Sequence, residues 1–382
     1  MAYFDNAATT YPKPAEVYDY MDRFYRDSGA NAGRGNYGLA HSAGKIIAET
    51  RSLLKDLLKC PAKNIVFTPT ATIALNMIIQ GIIKLGVKCV YISPFEHNAV
   101  TRTLHAFEKT GSIEVHELAV SDELTFDLKR IRYQFDNKKP ELVIVSHASN
   151  VIGLIAPIEE IFALAKEYDS YTVADMSQTA GLVSCNVGLS TFDFAVFAGH
   201  KTLYGPTGIS GFAMNPDIKL PSILFGGTGL ESANQDMPEA VPEHFEMGTL
   251  NISGIAGLNA ALKWNKKIGI DSILSKEEDN RNKLISILQK YDWLKIIGDV
   301  PGKQYVGIAS CLIDGISSDS AGNIFNNLGI AVRVGLHCAP LAHKFLNTFP
   351  AGTIRFSVNY FTSDADFEEL ENALNYIDSE LI

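Results

Sequence analysis

The chain lacks a long apolar run. None of its hydrophobic stretches reaches the ~20 residues that a helix needs to cross a bilayer, and no membrane partner is expected. Cysteine is sparse and unpaired in pattern. There are five in 382 residues, at positions 60, 89, 185, 311 and 338. No CxxC motif suggests a zinc ribbon or a dithiol switch, so a reduced, cytoplasmic protein is the simple expectation. Basic residues are the minority charge. The 33 Lys and Arg against 43 Asp and Glu give a net charge of −10, which argues against nucleic acid or an anionic membrane surface as partner. The opening MAYFDNAATTYPKP does not show the basic and then apolar pattern of a secretory signal. Internal repeats, low-complexity tracts and disordered linkers are also absent from the pattern.

What is present is an ordinary globular composition, 46% hydrophobic and 20% charged. The length suffices for a large core and two domains. HSAGKIIAETRSLLKDLLK (41–59) reads as a helix, because Ile46, Ile47, Leu53, Leu54, Leu57 and Leu58 recur at helical spacing. Short runs rich in Val, Ile, Tyr and Phe follow: NIVFT (64–68), KCVYIS (88–93), ELVIVSH (141–147), YTVAD (171–175) and FDFAVFA (192–198). Helical segments such as IEEIFALAKEY (158–168) separate most of them. Strands buried on both faces and joined by helices make an α/β, parallel-rich sheet. A long helical stretch from about 254 to 288 leads away from it. Beyond lie YVGIASCLI, IAVRVGLHCAP and TIRFSVNY, and a last helix begins at Ser363 with Asp366 three residues on. The expected division is a large domain over 15–255 and a smaller α+β domain over 256–382, completed by residues 1–14.

In a parallel sheet, ligands bind beyond the carboxyl ends of the strands. The residues there are Thr68 to Thr72, Glu96 to Asn98, Ser149 and Asn150, Asp175 with Gln178, and His200 with Lys201. Asp175 and Lys201 each close an apolar strand. A structural ion pair would be the bland reading of two such charges. A lysine in a partly apolar pocket has a depressed pKa and can form a Schiff base with an aldehyde. A carboxylate facing a pyridine nitrogen keeps that ring protonated. Pyridoxal phosphate chemistry requires those two groups. Thr70-Ala71-Thr72 precedes a helix and offers an anion site; His200 could add a donor, and His97 could stack on a planar ring. Cys338 sits in a Gly- and Pro-flanked loop beside His337 and near Arg333 and His343, neighbours expected to favour the thiolate. A metal site of His337, Cys338 and His343 lacks a fourth ligand, and no metal is expected.

ADMSQTAG and FAGHKTLYGPTGISGF resemble the cofactor motifs of the class V aminotransferase fold, a type I, aspartate aminotransferase-like arrangement. Within it, YFDNAATT, EHNA, ASNVIG, FEMGTLN and VRVGLHCAP resemble the cysteine desulfurases, in order along nearly the whole chain. The resemblance implies a pyridoxal 5'-phosphate enzyme with Lys201 as the Schiff-base lysine. It implies that Asp175 pairs with the pyridine nitrogen, Gln178 with the ring hydroxyl, and that His97 stacks on the ring. Thr70, Ala71, Thr72 and His200 would hold the phosphate, with Thr249 reaching the phosphate of a partner subunit in a homodimer. Asn150 and Arg355 would receive the substrate carboxylate, with Arg333 near the sulfur. Cys338 would take sulfur from L-cysteine as a persulfide and release L-alanine. A sulfur-acceptor protein and a role in sulfur metabolism, such as iron–sulfur cluster assembly, would follow. L-selenocysteine lyase, cystine-type C–S lyase and transaminase activities on the same fold are the alternatives, with a non-catalytic sulfur carrier as a third class. Two departures stand out. Ala198 occupies a position where the family often has a hydroxyl residue, and Asn36 and Tyr37 stand in a loop where it commonly has histidine.

Overall fold

The computed structural model describes residues 1–31, 35, 37–229 and 233–380. Asn36 lies outside them; Tyr37 is exposed at the start of a helix. A two-residue strand, β1 (Ala2–Tyr3), precedes helices α1 (Ala15–Ser28) and α2 (Gly38–Leu57). Strands and helices then alternate: β2 (Asn64–Thr68), α3 (Ala71–Lys84), β3 (Cys89–Ile92), α4 (Asn98–Glu108), β4 (Glu114–Glu117), α5 (Leu128–Asn137), β5 (Leu142–Ser146), α6 (Ile158–Lys166), β6 (Tyr171–Asp175), β7 (Phe194–Ala198) and β8 (Ser210–Met214). The remainder comprises α7 (Ile252–Ile268), α8 (Ile270–Leu288), β9 (Leu294–Ile297), β10 (Ile308–Ile313), α9 (Ser318–Asn327), β11 (Ile330–Ala331), β12 (Arg333–Gly335), α10 (Pro340–Phe345), β13 (Thr353–Ser357) and α11 (Asp364–Glu380).

The large sheet has seven strands in the order β2-β8-β7-β6-β5-β3-β4. β4, β3, β5, β6 and β7 pair in parallel, while β8 runs antiparallel between β7 and β2. The apolar runs β5 and β7 are buried at every residue, as a sheet covered on both faces requires. Alternate side chains serve different layers. Ala195 and Phe197 join one core, and Phe194 and Val196 join the core formed with α3.

The second sheet is antiparallel, in the order β12-β13-β10-β9. Its core holds Cys311, Phe325, Ile354 and Phe356 together with the α11 stripe of Phe367, Leu370, Leu374 and Ile377. The chain's first residues return here. β1 pairs with β11, and Phe4 packs into the same core. Ser363 and Asp366 exchange bonds at the head of α11, with Ser363 N donating to Asp366 Oδ2 (2.8 Å) and Asp366 N to Ser363 Oγ (3.3 Å). That is a capping box.

One feature departs from expectation. The helical stretch 254–288 is broken at Gly269, whose φ of 88° favours glycine. The expected boundary after residue 255 falls inside α7, which packs along α1 and α2. Among the described residues no helix is long and apolar enough to cross a membrane.

Candidate active site

The carboxyl ends of the parallel strands open on a cavity of about 340 Å³. Thr70, Ala71, Thr72, His97, Asn150, Asp175, Gln178, His200 and Lys201 line it from the large sheet, and Arg333, Cys338 and Arg355 from the region of the small one. These residues are spread from position 70 to 355 and were expected at one site. Thr249 is the exception: it is exposed and does not line the cavity.

Lys201 follows β7 through the Gly199-His200 turn. Glycine is needed at 199, because a Cβ there would lie 2.3 Å from the Ile209 carbonyl oxygen. Lys201 O accepts from Tyr204 N and from Thr10 Oγ1, which anchors the turn. Burial pushes the Lys201 amine down to about 8, against the opposing pull of Asp175. No ion pair within 4.0 Å joins Lys201 to Asp175 among the described residues, although both line the cavity. The bland reading of a structural ion pair therefore does not hold.

Asp175 ends β6 and is buried. Its Oδ1 accepts from Ser177 N (3.0 Å) and Ser177 Oγ (2.5 Å), two donors that orient the carboxylate. Gln178 Nε2 donates to Ala7 O at 3.0 Å, leaving its second N–H for another acceptor. His97 is the N-cap of α4. Its Nδ1 accepts from Ala99 N, so a neutral ring carries its proton on Nε2. Burial and then the nearby Lys201 charge lower its pKa. The ring is thus held neutral, as suits stacking.

Thr70 caps α3. Its Oγ1 accepts from Ile73 N, and its carbonyl accepts from Ala74 N. The amides of Ala71 and Thr72 are left without an intrahelical partner at the positive end of the helix dipole. His200 lies opposite, pushed down to about 4 by burial and then by Lys201 and Lys13. Its buried Nδ1 has no partner.

The other end of the cavity is cationic. Arg333 and Arg355 are directly paired across β12 and β13. Arg333 chelates both carboxylate oxygens of Asp5 (3.0–3.2 Å), and Arg355 Nη2 donates to Asp5 Oδ1 at 2.9 Å. Arg355 Nη1 donates to Asn150 O, while its Nε is buried and unpartnered. Asn150 Nδ2 donates to His337 O at 2.6 Å, and Asn98 N to Cys338 O at 2.6 Å. These bonds hold two successive left-handed residues, His337 (φ 47°) and Cys338 (φ 58°). Cys338 is exposed, whereas the other four cysteines are buried.

The expected help from histidine at Cys338 is not found. Burial drives His337 down to about 2 and His343 down to about 4, so both rings are neutral. His337 bonds Thr353 Oγ1 and His343 bonds Thr348 Oγ1. The cations that bear on Cys338 are Arg333, Arg355 and Lys201. Asp5 and Ser177 were not foreseen as site residues. Asp5 lies within YFDNAATT and Ser177 within ADMSQTAG, so the motif strings carried them without giving them a task.

The aminotransferase class-V family model matches residues 2–370. The chain belongs to the class-V aminotransferase family. Within it, the chain is 32% identical to a probable cysteine desulfurase of Xylella fastidiosa, over 98% of this chain and 90% of that one. It is also 32% identical to a probable cysteine desulfurase of Pyrococcus abyssi, over 98% and 93%. The apo structure of the cysteine desulfurase from Thermococcus onnurineus superposes with a TM-score of 0.90 at 28% identity, covering 98% of this chain and 94% of that one.

Members of this family depend on pyridoxal phosphate, and the cavity fits that cofactor. A buried amine and an oriented carboxylate suit the aldehyde and the pyridinium. The unpaired Nδ1 of His200 and the free amides at the head of α3 suit the phosphate. The unpaired Nε of Arg355 suits an amino acid carboxylate.

Proposed function

We propose that the chain is a pyridoxal phosphate-dependent cysteine desulfurase that converts L-cysteine to L-alanine and leaves the sulfur on Cys338. The observation that carries this reading is the exposed cysteine at the mouth of a cavity with a buried lysine inside it. When bound, pyridoxal phosphate withdraws electrons from the substrate Cα. The residues of the chain do the rest.

Arg355 and Asn150 fix the substrate carboxylate, and that sets the direction of the Cα–H bond. Lys201 Nζ, neutral in a useful fraction near pH 7, takes the Cα proton and later returns it. Asp175 keeps the pyridine ring protonated, with Ser177 holding the carboxylate in place. Cys338 Sγ attacks the substrate sulfur as a thiolate. The substrate Cβ–S bond breaks and an S–S bond forms; the electron pair stays on the substrate carbon, and Cβ takes up the proton that Cys338 gave up. Cysteine plus the Cys338 thiol thus become alanine plus a Cys338 persulfide, with atoms balanced and no external oxidant. Thr72 and His200 hold the phosphate, and Thr249 serves the phosphate of a second subunit in a homodimer.

Cys338 is fixed by the Asn98 and Asn150 bonds to its turn. A sulfur acceptor must therefore approach the mouth of the cavity, and an acceptor protein fits that need. The test is Cys338→Ala. The variant should bind pyridoxal phosphate as the parent does, yet make less than about one hundredth of the alanine and sulfide from cysteine, as expected when a nucleophile is removed. Full desulfuration by this variant would refute the persulfide route. Pyruvate and ammonia in place of alanine would point to β-elimination.

A further inference from the structure

Ser210 opens β8 and has no role in the account so far. Across the antiparallel ladders its Cα pairs with Ala198 on β7 and with Thr68 on β2. Residues directly paired in this way present their side chains on one face, with Cβ atoms about 5 Å apart. Ala198 lines the cavity, so Ser210 stands next to it on the face that bounds the phosphate end. Farther along, that face carries Val196, Phe194, Phe212 and Met214, which form the core shared with α3. Thr68 ends the strand that leads into Thr70, the cap of α3. Ser210 therefore lies between the end of β7, where Ala198 lines the cavity, and the end of β2, which leads into the cavity-lining Thr70 at the head of α3.

Its side chain is unmatched there. Ser210 is 1% exposed, and its Oγ has no hydrogen-bond partner. A buried hydroxyl is costly to leave unpaired. His200 Nδ1, across the same turn, is unmatched as well. The backbone ties the two together, since Gly199 N donates to Ile209 O. Ala198, which lines the cavity and pairs directly with Ser210, carries only a methyl group and gives the phosphate end no side-chain donor.

We infer that Ser210 supplies from the neighbouring strand the phosphate-end hydroxyl that Ala198 lacks. Ser210 Oγ donates toward the cofactor phosphate across the gap left at Ala198, beside the His200 ring and the free amides of α3. The inference rests on the pyridoxal phosphate reading of the cavity. It adds a cofactor-binding residue to that reading.

The test titrates cofactor-stripped protein with pyridoxal phosphate and, separately, with pyridoxal, which has no phosphate. Absorbance and tryptophan fluorescence report binding. Ser210→Ala should weaken pyridoxal phosphate binding roughly tenfold, the worth of one hydrogen bond to a charged group. Pyridoxal binding should not change. Adding Ala198→Ser to Ser210→Ala should restore most of the lost affinity, because the hydroxyl returns on the directly paired residue that lines the cavity. Unchanged pyridoxal phosphate affinity in Ser210→Ala would overturn the inference. So would an equal loss for both ligands, which would mark a packing effect. If the parent protein took up no pyridoxal phosphate, the reading beneath the inference would fail instead.

Discussion

A lysine amine pushed down to about 8 behaves unlike one in water. At pH 7 about one molecule in ten carries it neutral, against fewer than about one in a thousand at the ordinary value near 10.4. The cause is local. Burial disfavours the charge, and Asp175 compensates only in part. The neutral amine is the form that can attack an aldehyde. The rate at which cofactor-stripped protein captures pyridoxal phosphate should therefore rise with pH along a curve centred near 8. Stopped-flow absorbance over pH 6 to 11 would measure it. A midpoint near 10.5 would show that the amine is not desolvated as described. Stability follows with a fixed sign. Between about 8 and 10.5 the unfolded amine holds its proton while the folded one has lost it. Lys201 thus makes the apo protein more stable as pH rises through that window.

At the scale of elements, the small sheet supplies the carboxylate end of the site through one acidic residue. Asp5 follows β1 and holds Arg333 on β12 and Arg355 on β13. Those arginines sit in direct register, and without a shared anion two like charges would face each other across the ladder. Asp5→Asn keeps the shape and removes the charge. Arg355 would then be left buried without a counterion, which should cost about 3 kcal/mol of stability. The KM for cysteine should rise several-fold while kcat changes little, because Asp5 acts through Arg355. Denaturant unfolding and steady-state kinetics check the two halves. A loss of stability with an unchanged KM would make Asp5 purely structural. This clamp also shows what the sequence could and could not tell. NIVFT and YTVAD match β2 and β6 residue for residue, because strands of a sheet buried on both faces advertise themselves by apolar, β-branched composition. Lys201, Asp175 and Cys338 were legible as candidates at strand ends and loops, and the fold brings all three to one cavity. The Asp5 clamp was not, since its partners lie about 330 and 350 residues away and only tertiary structure joins them. The neutrality of His337 and His343 was hidden for a related reason. Adjacency in sequence suggests charge near Cys338, and burial removes it. The break at Gly269 did have a local signal, the glycine itself, inside an otherwise continuous helical pattern.

At the scale of the whole molecule, Thr249 bears on the proposed homodimer. It is exposed and stands apart from the cavity of its own chain, as a residue lent to a second copy would. The proposed homodimer makes this testable by complementation. Thr249→Ala alone should loosen pyridoxal phosphate roughly tenfold, by the loss of one charge-assisted bond. Lys201→Ala alone should abolish the covalent label left by borohydride. The decisive species is the mixed dimer, purified through a different tag on each subunit. If Thr249 serves its neighbour, the Lys201-bearing site of that dimer receives an intact Thr249 from the other chain. It should then bind cofactor with the affinity of the parent, and the dimer should show half the parent's activity. If Thr249 serves its own chain, that same site carries the alanine and stays about tenfold weaker. The two arrangements thus predict different affinities for one purified species, and a single titration separates them.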